Sequence, residues 1–392
     1  MAGINVGATK ITHSNGKTLA VLSDETPRDL LKRVAEGTPY VWLDEEHRCE
    51  LRAAHDIYAE AIADALRDQH LGSFDEAPVA LAVPGWWTQQ ALTRVRIALE
   101  KQGVNVRLAN DAEAAVTEYL HQGHTLPENT AVVSLRAGYA SVVIVRNCLE
   151  EPRALLTPAL VHDEGGDYLN TAVLQHLVRG LVDLGEGIKI DDPHVISAAR
   201  DALSQCRTVR EALSTSSSES LLTNLPGTSH RIRLVRSELE ELAEPWADSI
   251  MRMVSTAIDQ AALPLEAVLL TGGLATMPLI SQRISADLAL EVYVPQAPAQ
   301  AAARGAQKMI AAQQMKPTRW GLGFWRSRKP RARHIAHPSQ RDELTVKSRS
   351  ADNPQFETAL PTSTPAYSGA IRDRSVQPTS APARAHIESL VS

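Results

Sequence analysis

Cysteine and aromatic residues are both scarce in this chain of 392 residues. Its three cysteines, Cys49, Cys148 and Cys206, are far apart and include no C-x-x-C pair. An odd number at such spacing argues against a disulfide framework and against a cysteine-rich zinc site, and it fits a reducing compartment. Phe, Trp and Tyr make up only 4% of the residues, so the core must consist mostly of Ala, Val, Leu and Ile.

Long apolar runs are lacking as well. No run approaches the roughly 18 apolar residues of a membrane-spanning helix, and the first residues enter a strand pattern without the apolar segment of a signal peptide. We therefore expect a cytoplasmic location, with peripheral attachment to a membrane left open. The net charge of −6 gives the chain no bulk attraction for nucleic acid, so we expect no nucleic-acid partner.

Charge and composition divide the chain into two parts. Residues 1–315 have a net charge of −13, and strand-like runs such as 79–83 and 268–271 alternate there with amphipathic segments such as 51–70, which is predicted to be a helix. This alternation predicts an α/β fold. Residues 316–392 carry 13 Lys and Arg against 6 Asp and Glu, and they are rich in Pro, Ser and Thr. They are predicted to form a basic, disordered tail.

Six turn-containing segments follow one another along residues 1–315. They are 3–10 (GINVGATK), 83–87 (VPGWW), 110–115 (NDAEAA), 162–167 (HDEGGD), 270–278 (LTGGLATMP) and 298–306 (PAQAAARGA). Any one of them alone would be a weak signal. In this order and at this spacing they resemble the nucleotide-binding domain of Hsp70 chaperones, within the actin/hexokinase superfamily, and the resemblance covers about residues 2–312.

The resemblance implies an actin-like, bilobal α/β fold, in which two ribonuclease-H-like lobes flank a central cleft that closes on ATP or ADP. The expected domain is residues 1–315, with lobe I at about 1–128 and 296–315 and lobe II at about 129–295. The tail at 316–392 has neither the apolar alternation nor the length of the family's peptide-binding β-sandwich and helical lid.

The resemblance also implies where a nucleotide would bind. The implied residues are Gly7 and Thr9 in the first phosphate loop, Gly138 in the second, Gly165, Gly166, Gly272 and Gly273 along the nucleoside, and Arg210 and Ser214 on the helix that contacts adenine. Asp111 stands where the family has a catalytic Glu, and its alternative role is a helix N-cap.

Several positions depart from the family's pattern. The three Asp residues that organise magnesium and the attacking water correspond to Asn5, Ser134 and Ser141, which carry no charge, although phosphoryl transfer depends on such charge neutralisation. We therefore assign no metal ligand, while ATP and ADP stay open as cofactors. Arg136 is either a substitute phosphate ligand or a plug that forms a salt bridge inside a closed cleft. The segment before residue 83 is too short for the family's small subdomain with its catalytic Lys.

Three functions stay open. The first is an Hsp70-like pseudo-ATPase with degenerate phosphate loops, a scaffold or regulator that binds ATP or ADP weakly or not at all. The second is a slow ATPase chaperone of the Hsp70 family. The third is an organiser anchored through the tail, where Trp320, Phe324 and Trp325 lie among Arg and Lys residues, a pattern that suits an anionic membrane surface or a protein partner. Docking of these aromatic residues back on the body is the alternative.

Overall fold

The computed structural model describes most of the first 315 residues. The described ranges are 2–7, 10–21, 29–43, 49–71, 78–147, 152–154, 161–162, 165–183, 193–225, 228–261 and 263–315. The chain divides into two units, Met1–Pro317 and Thr318–Ser392, and all described residues belong to the first. Thr9 lies outside the described residues, as do the tail and its aromatic residues Trp320, Phe324 and Trp325.

Strands and helices alternate through the described part of the chain. The strands are β1 Gly3–Val6, β2 Lys10–His13, β3 Thr18–Val21, β4 Pro39–Leu43, β5 Cys49–Ala53, β6 Val79–Val83, β7 Val106–Asn110, β8 Asn129–Leu135, β9 Ala140–Asn147, β10 Pro152–Ala154, β11 Val161–His162, β12 Ser218–Leu225, β13 Thr228–Val235, β14 Ala267–Thr271 and β15 Glu291–Tyr293. The helices are α1 Leu30–Glu36, α2 Ala54–Arg67, α3 Gln89–Lys101, α4 Asp111–His121, α5 Gly166–Asp183, α6 Pro193–Ala212, α7 Arg236–Ala261, α8 Pro278–Leu288 and α9 Ala301–Met315. The predicted α/β class is confirmed.

One predicted helix begins later than expected. Residues 51–53 belong to β5, which pairs with β4 in an antiparallel hairpin, with Val41 opposite Leu51. The hairpin gives these residues backbone partners across the strand pair, and helix α2 starts only at Ala54. No helix in the described ranges is long and apolar enough to cross a membrane.

Two sheets of the same plan organise the fold. The first has the strand order β3-β2-β1-β6-β7, and the second has the order β10-β9-β8-β14-β15, with β11 paired to β9. In each sheet the first three strands form an antiparallel meander. A later strand pairs in parallel with the first strand of the meander, β6 with β1 and β14 with β8. A last strand pairs in parallel with that one, β7 with β6 and β15 with β14. The carboxyl ends of the parallel strands in each sheet share one edge, where the connecting loops gather.

The packing of α9 against α4 brings the last described helix back to the first sheet. A Cβ on Gly305 would lie 1.7 Å from the carbonyl oxygen of Ala114, so only glycine allows the two helices to come this close. Buried small residues continue the contact, among them Ala302 and Ala306. Helix α4 is thereby held in place at its position after β7.

We expect Gly305→Ala to lower the stability of the protein. The added methyl would overlap a backbone oxygen, and overpacking of this kind costs about 1–3 kcal/mol, more than the roughly 1 kcal/mol that alanine gains over glycine in a helix. Urea unfolding measures the difference. Gly273→Ala is the matched control, because no atom lies within 4 Å of the added Cβ. Equal midpoints for the two variants would contradict the role of Gly305.

Candidate functional site

A buried ion pair joins the two sheets. Arg136 follows β8 in the loop to β9, and its Nη2 donates a hydrogen bond to Oδ2 of Asp111 at 2.7 Å. Its Nη1 donates to Oδ1 of Asn5 on β1 at 3.0 Å. The side chains of Arg136 and Asp111 are only 8% and 2% exposed. We call these three residues the Arg136 clasp, because they tie a loop of the second sheet to the first sheet.

Both carboxylate oxygens of Asp111 have a partner. Oδ1 accepts a hydrogen bond from the backbone N–H of Gly85 at 2.8 Å, and Oδ2 accepts the bond from Arg136. The N-cap of α4 is Asn110, whose side-chain oxygen accepts from the N–H of Ala112 at 2.9 Å. The interpretation of Asp111 as the helix N-cap is therefore wrong. Asp111 is the first residue of α4, and its carboxylate binds outside the helix.

The positive charge of Arg136 is retained in spite of its burial. Burial opposes the charged form, but the neighbouring Tyr139 and Asp111 outweigh it and raise the pKa of the guanidinium above its ordinary value. The guanidinium carbon lies 5.8 Å from the centre of the Tyr139 ring, and burial also raises the pKa of the Tyr139 hydroxyl. The salt bridge predicted for Arg136 is therefore present, with Asp111 as its partner.

Backbone hydrogen bonds fix the loop that carries Arg136 against the start of α5. The N–H of Gly166 donates to the carbonyl oxygen of Arg136 at 2.9 Å, and the N–H of Asp167 donates to that of Ala137 at 2.8 Å. A Cβ on Gly165 would lie 2.3 Å and 2.4 Å from these two oxygens, so glycine is needed for the approach. The first amides of α5 therefore bind carbonyl groups of the protein itself.

On one side of the clasp lies a cavity of about 90 Å³, which we call the small compartment. Its lining includes Gly7, Arg136, Arg210, Gly272 and Gly273. The Nε of Arg210 donates to Oδ1 of Asn170 at 2.9 Å, and burial lowers the pKa of this guanidinium. Gly272 has a φ of +94°, and a Cβ there would lie 2.1 Å from the carbonyl oxygen of Leu135. Gly273 instead has open space around it.

A second cavity, of about 510 Å³, we call the large compartment. Its lining includes Lys32 on α1 and, from other parts of the chain, Trp86, Gly138 and Tyr168. Sequence reasoning missed Lys32, because the segment was judged too short to supply a lysine. A signal was present in the pattern of α1, where Leu30, Leu31 and Val34 are buried and the residues between them are left to the other face.

Comparison with known proteins identifies the family. A family model described as Hsp70 protein matches residues 50–316, which is more than half of the chain. The chain belongs to the Hsp70 family. The Hsp70-type nucleotide-binding domain implied by the six segments is therefore confirmed, together with its actin-like α/β fold. Lys32 and the first strands lie before the matched residues.

Curated Hsp70-family proteins are similar over much of this chain. A heat shock protein homolog of Lachancea kluyveri is 26% identical over 248 residues, which are 59% of this chain and 35% of that protein. The chaperone protein HscA homolog of Bordetella petrii is 27% identical over 302 residues, 71% of this chain and 45% of that protein. A heat shock protein homolog of Saccharomyces cerevisiae is 28% identical over 224 residues, 53% and 31% of the two chains. The chain thus spans less than half the length of these relatives.

The residues implied by the Hsp70 resemblance fall into separate groups. The small compartment is lined by Gly7, Arg210, Gly272 and Gly273, and the large compartment by Gly138 and Gly165. Asp111 belongs to the clasp, and Gly166 lies between the Arg136 loop and Arg210. Ser214 lies in the turn after α6, where its N–H donates to the carbonyl oxygen of Glu211. It is not among the described residues that line either compartment.

The residues at the Hsp70 magnesium position do not fit a divalent cation. Ser134 and Ser141 face each other across β8 and β9, each 2% exposed, and Asn5 is bonded to a guanidinium. Magnesium is held by carboxylates, water and phosphate oxygens, and the positive charge of Arg136 would repel it. Within the described ranges, no three His, Cys, Asp or Glu side chains converge to hold a metal ion.

We expect Arg136→Ala to destabilise the protein by about 3–5 kcal/mol, because it leaves Asp111 charged and unpaired in the interior. The double variant Arg136→Ala/Asp111→Asn should recover much of this loss, since no buried charge then remains. Urea unfolding of the wild type, both single variants and the double variant gives the coupling free energy. Additive effects of the two substitutions would contradict a tight clasp.

Proposed function

We propose that this Hsp70-family protein is a pseudo-ATPase that binds ATP or ADP weakly or not at all and acts as a scaffold or regulator. One observation carries the proposal. The guanidinium of Arg136 lies between Asp111 and Asn5 and bonds to both. The Hsp70 resemblance implies that metal and phosphate would bind near Asn5 and Asp111, so the hydrogen bonds of both residues to Arg136 support the proposal.

The chemistry of Asp111 supports the absence of hydrolysis. A general base must accept a proton from the attacking water, so water must come within hydrogen-bond reach of it. Asp111 is only 2% exposed, and its two oxygens accept bonds from Gly85 and from Arg136. In addition, Asn5, Ser134 and Ser141 supply none of the negative charge that positions magnesium. Without a general base to accept the proton of water and a metal ion to neutralise the phosphate charge, phosphoryl transfer is not accelerated.

The shape of the cleft supports weak nucleotide binding. The resemblance implies that the nucleoside would lie along Gly272 and Gly273, and the small compartment beside them measures only about 90 Å³, whereas ligand-sized pockets measure about 300–1,000 Å³. The large compartment has such a volume, but these two glycines do not line it. The amides of Gly166 and Asp167, which could otherwise bind an anion at the start of α5, donate to carbonyl groups of the Arg136 loop. A nucleotide would have to displace these contacts before it could bind.

The alternative function, a slow ATPase chaperone, is favoured by the relatives, two of which are named heat shock protein homologs and one a chaperone protein homolog. It requires that the clasp opens and that Asp111 then acts on water. The two functions predict different rates of ATP turnover, different effects of ATP on the aggregation of a client protein, and different consequences of substituting Asp111.

We expect no magnesium-dependent ATP turnover above the background of the buffer, and no difference in aggregation of a model client such as citrate synthase with and without ATP. Phosphate release and calorimetric titration with ATP and ADP measure these quantities on the full chain. Asp111→Asn tests the base, because it leaves a neutral side chain of the same shape. Since it also leaves Arg136 without its charged partner, far-UV circular dichroism must first establish that this variant is folded. Sustained hydrolysis that Asp111→Asn abolishes would overturn the proposal in favour of the chaperone.

We also propose that the basic tail binds an anionic membrane surface. Its support is the sequence alone, in which Trp320, Phe324 and Trp325 stand beside Arg326, Arg328 and Lys329. The full chain should pellet with phosphatidylserine-containing vesicles more than with pure phosphatidylcholine vesicles. Combined replacement of the three aromatic residues by Ser should abolish the difference. Equal pelleting of the two proteins with anionic vesicles would reject this role of the tail.

A further inference from the structure

The two compartments are neighbouring parts of one cleft. Ala137 and Asp167 line both of them. Arg136 lines the small compartment, and its guanidinium lies against the ring of Tyr139, which lines the large compartment. The side chain of Arg136 therefore lies next to residues of both cavities, close to where they adjoin. The large compartment alone has the volume of a ligand-sized pocket, about 300–1,000 Å³, whereas the small compartment of about 90 Å³, with Gly272 and Gly273, would reach it only if the two were joined.

The walls of the cleft are held by contacts that do not involve the side chain of Arg136. On the α1 side, the indole N–H of Trp87 donates to the carbonyl oxygen of Leu31 at 3.1 Å, and Nη2 of Arg94 donates to those of Val34 and Ala35, each at 3.1 Å. These bonds hold both the beginning and the end of α1. The wall would stay in place if Arg136 were shortened.

The opposite wall is held through the backbone. The N–H of Arg136 donates to the carbonyl oxygen of Tyr139 at 2.9 Å, and its own carbonyl oxygen accepts from the N–H of Gly166. The N–H of Leu274 donates to the carbonyl oxygen of Leu135 in the adjacent strand. None of these bonds requires the Arg136 guanidinium. A shorter side chain at this position would therefore change the interior of the cleft more than its frame.

We infer that Arg136 is the specificity-determining residue of the cleft, an internal divider that excludes nucleotide by its bulk. This inference rests on the proposed function, in that the wild-type protein binds nucleotide weakly or not at all. It goes further by assigning the exclusion to a single side chain. The remaining frame, with Gly272, Gly273 and Gly7 on one side of the divider and Gly138 on the other, is then still able to admit a nucleotide.

The test must separate the bulk of Arg136 from its charge. Arg136→Ala alone leaves Asp111 unpaired and risks unfolding, so both test proteins carry Asp111→Asn. Arg136→Ala/Asp111→Asn removes the bulk and the buried charges. Arg136→Met/Asp111→Asn removes the same charges but keeps a side chain of similar length. Thermal melting and far-UV circular dichroism establish that each is folded, and Arg136→Ser/Asp111→Asn replaces the first variant if it is not.

Calorimetric titration with ADP, without magnesium, is the measurement. We expect binding by Arg136→Ala/Asp111→Asn at least tenfold tighter than by the wild type, and no comparable gain for Arg136→Met/Asp111→Asn. No gain in the folded Ala variant would overturn the inference and leave the proposed function standing. An equal gain in both variants would also overturn it, since charge and not bulk would then exclude the nucleotide. Tight binding of ADP by the wild type would contradict both the divider and the weak nucleotide binding of the proposed function.

Discussion

A charge cannot stay unpaired in the interior of a protein, and the arrangement of this cleft follows from that constraint. Asp111 lies at the start of α4, almost without exposure, and must find donors for two oxygens. The backbone of Gly85 supplies one, and Arg136 supplies the other from the opposite sheet. Because removal of either charged partner leaves the other stranded, the ion pair makes the two sheets depend on each other. The division of the cleft into two compartments is a consequence of this pairing.

The duplicated sheet plan explains why these residues can meet. Each sheet ends its parallel strands at one edge, so the loops after β1, β6 and β7 lie together, as do the loops after β8 and β14. Asn5 near the end of β1 and Asp111 directly after β7 lie at the edge of the first sheet, and Arg136 comes from the loop after β8 at the edge of the second. The close packing of α9 on α4 at Gly305 fixes the position of α4, which begins with Asp111. The Hsp70 fold thus supplies the frame, and a few side chains decide what the cleft admits.

Much of this could be predicted from the sequence, because strand-helix alternation and six ordered turn motifs are local signals. They indicated the α/β class and the family, and the charge of Arg136 suggested a salt bridge. The partners could not be predicted, since they depend on which loops of two sheets face each other. Gly165 and Gly166 were assigned to a nucleoside, but Gly165 packs against backbone oxygens of the Arg136 loop. Lys32 was missed because it lies on a short helix before the residues that match the family.

The substitutions at the phosphate loops are best understood as one coupled change. The Hsp70 resemblance implies that Asn5, Ser134 and Ser141 stand in place of three Asp residues, while position 111 retains a carboxylate. Such a site would contain a lone buried carboxylate with no metal to neutralise it. An arginine at position 136 supplies that neutralisation from within the protein, and Asn5 accepts a second hydrogen bond from it. Restoring a carboxylate at position 5 alone would then give the guanidinium a second negative partner and close the clasp more tightly. The order of events matters for any reconstruction of activity, because the positive charge at position 136 must be removed before a magnesium site can be built.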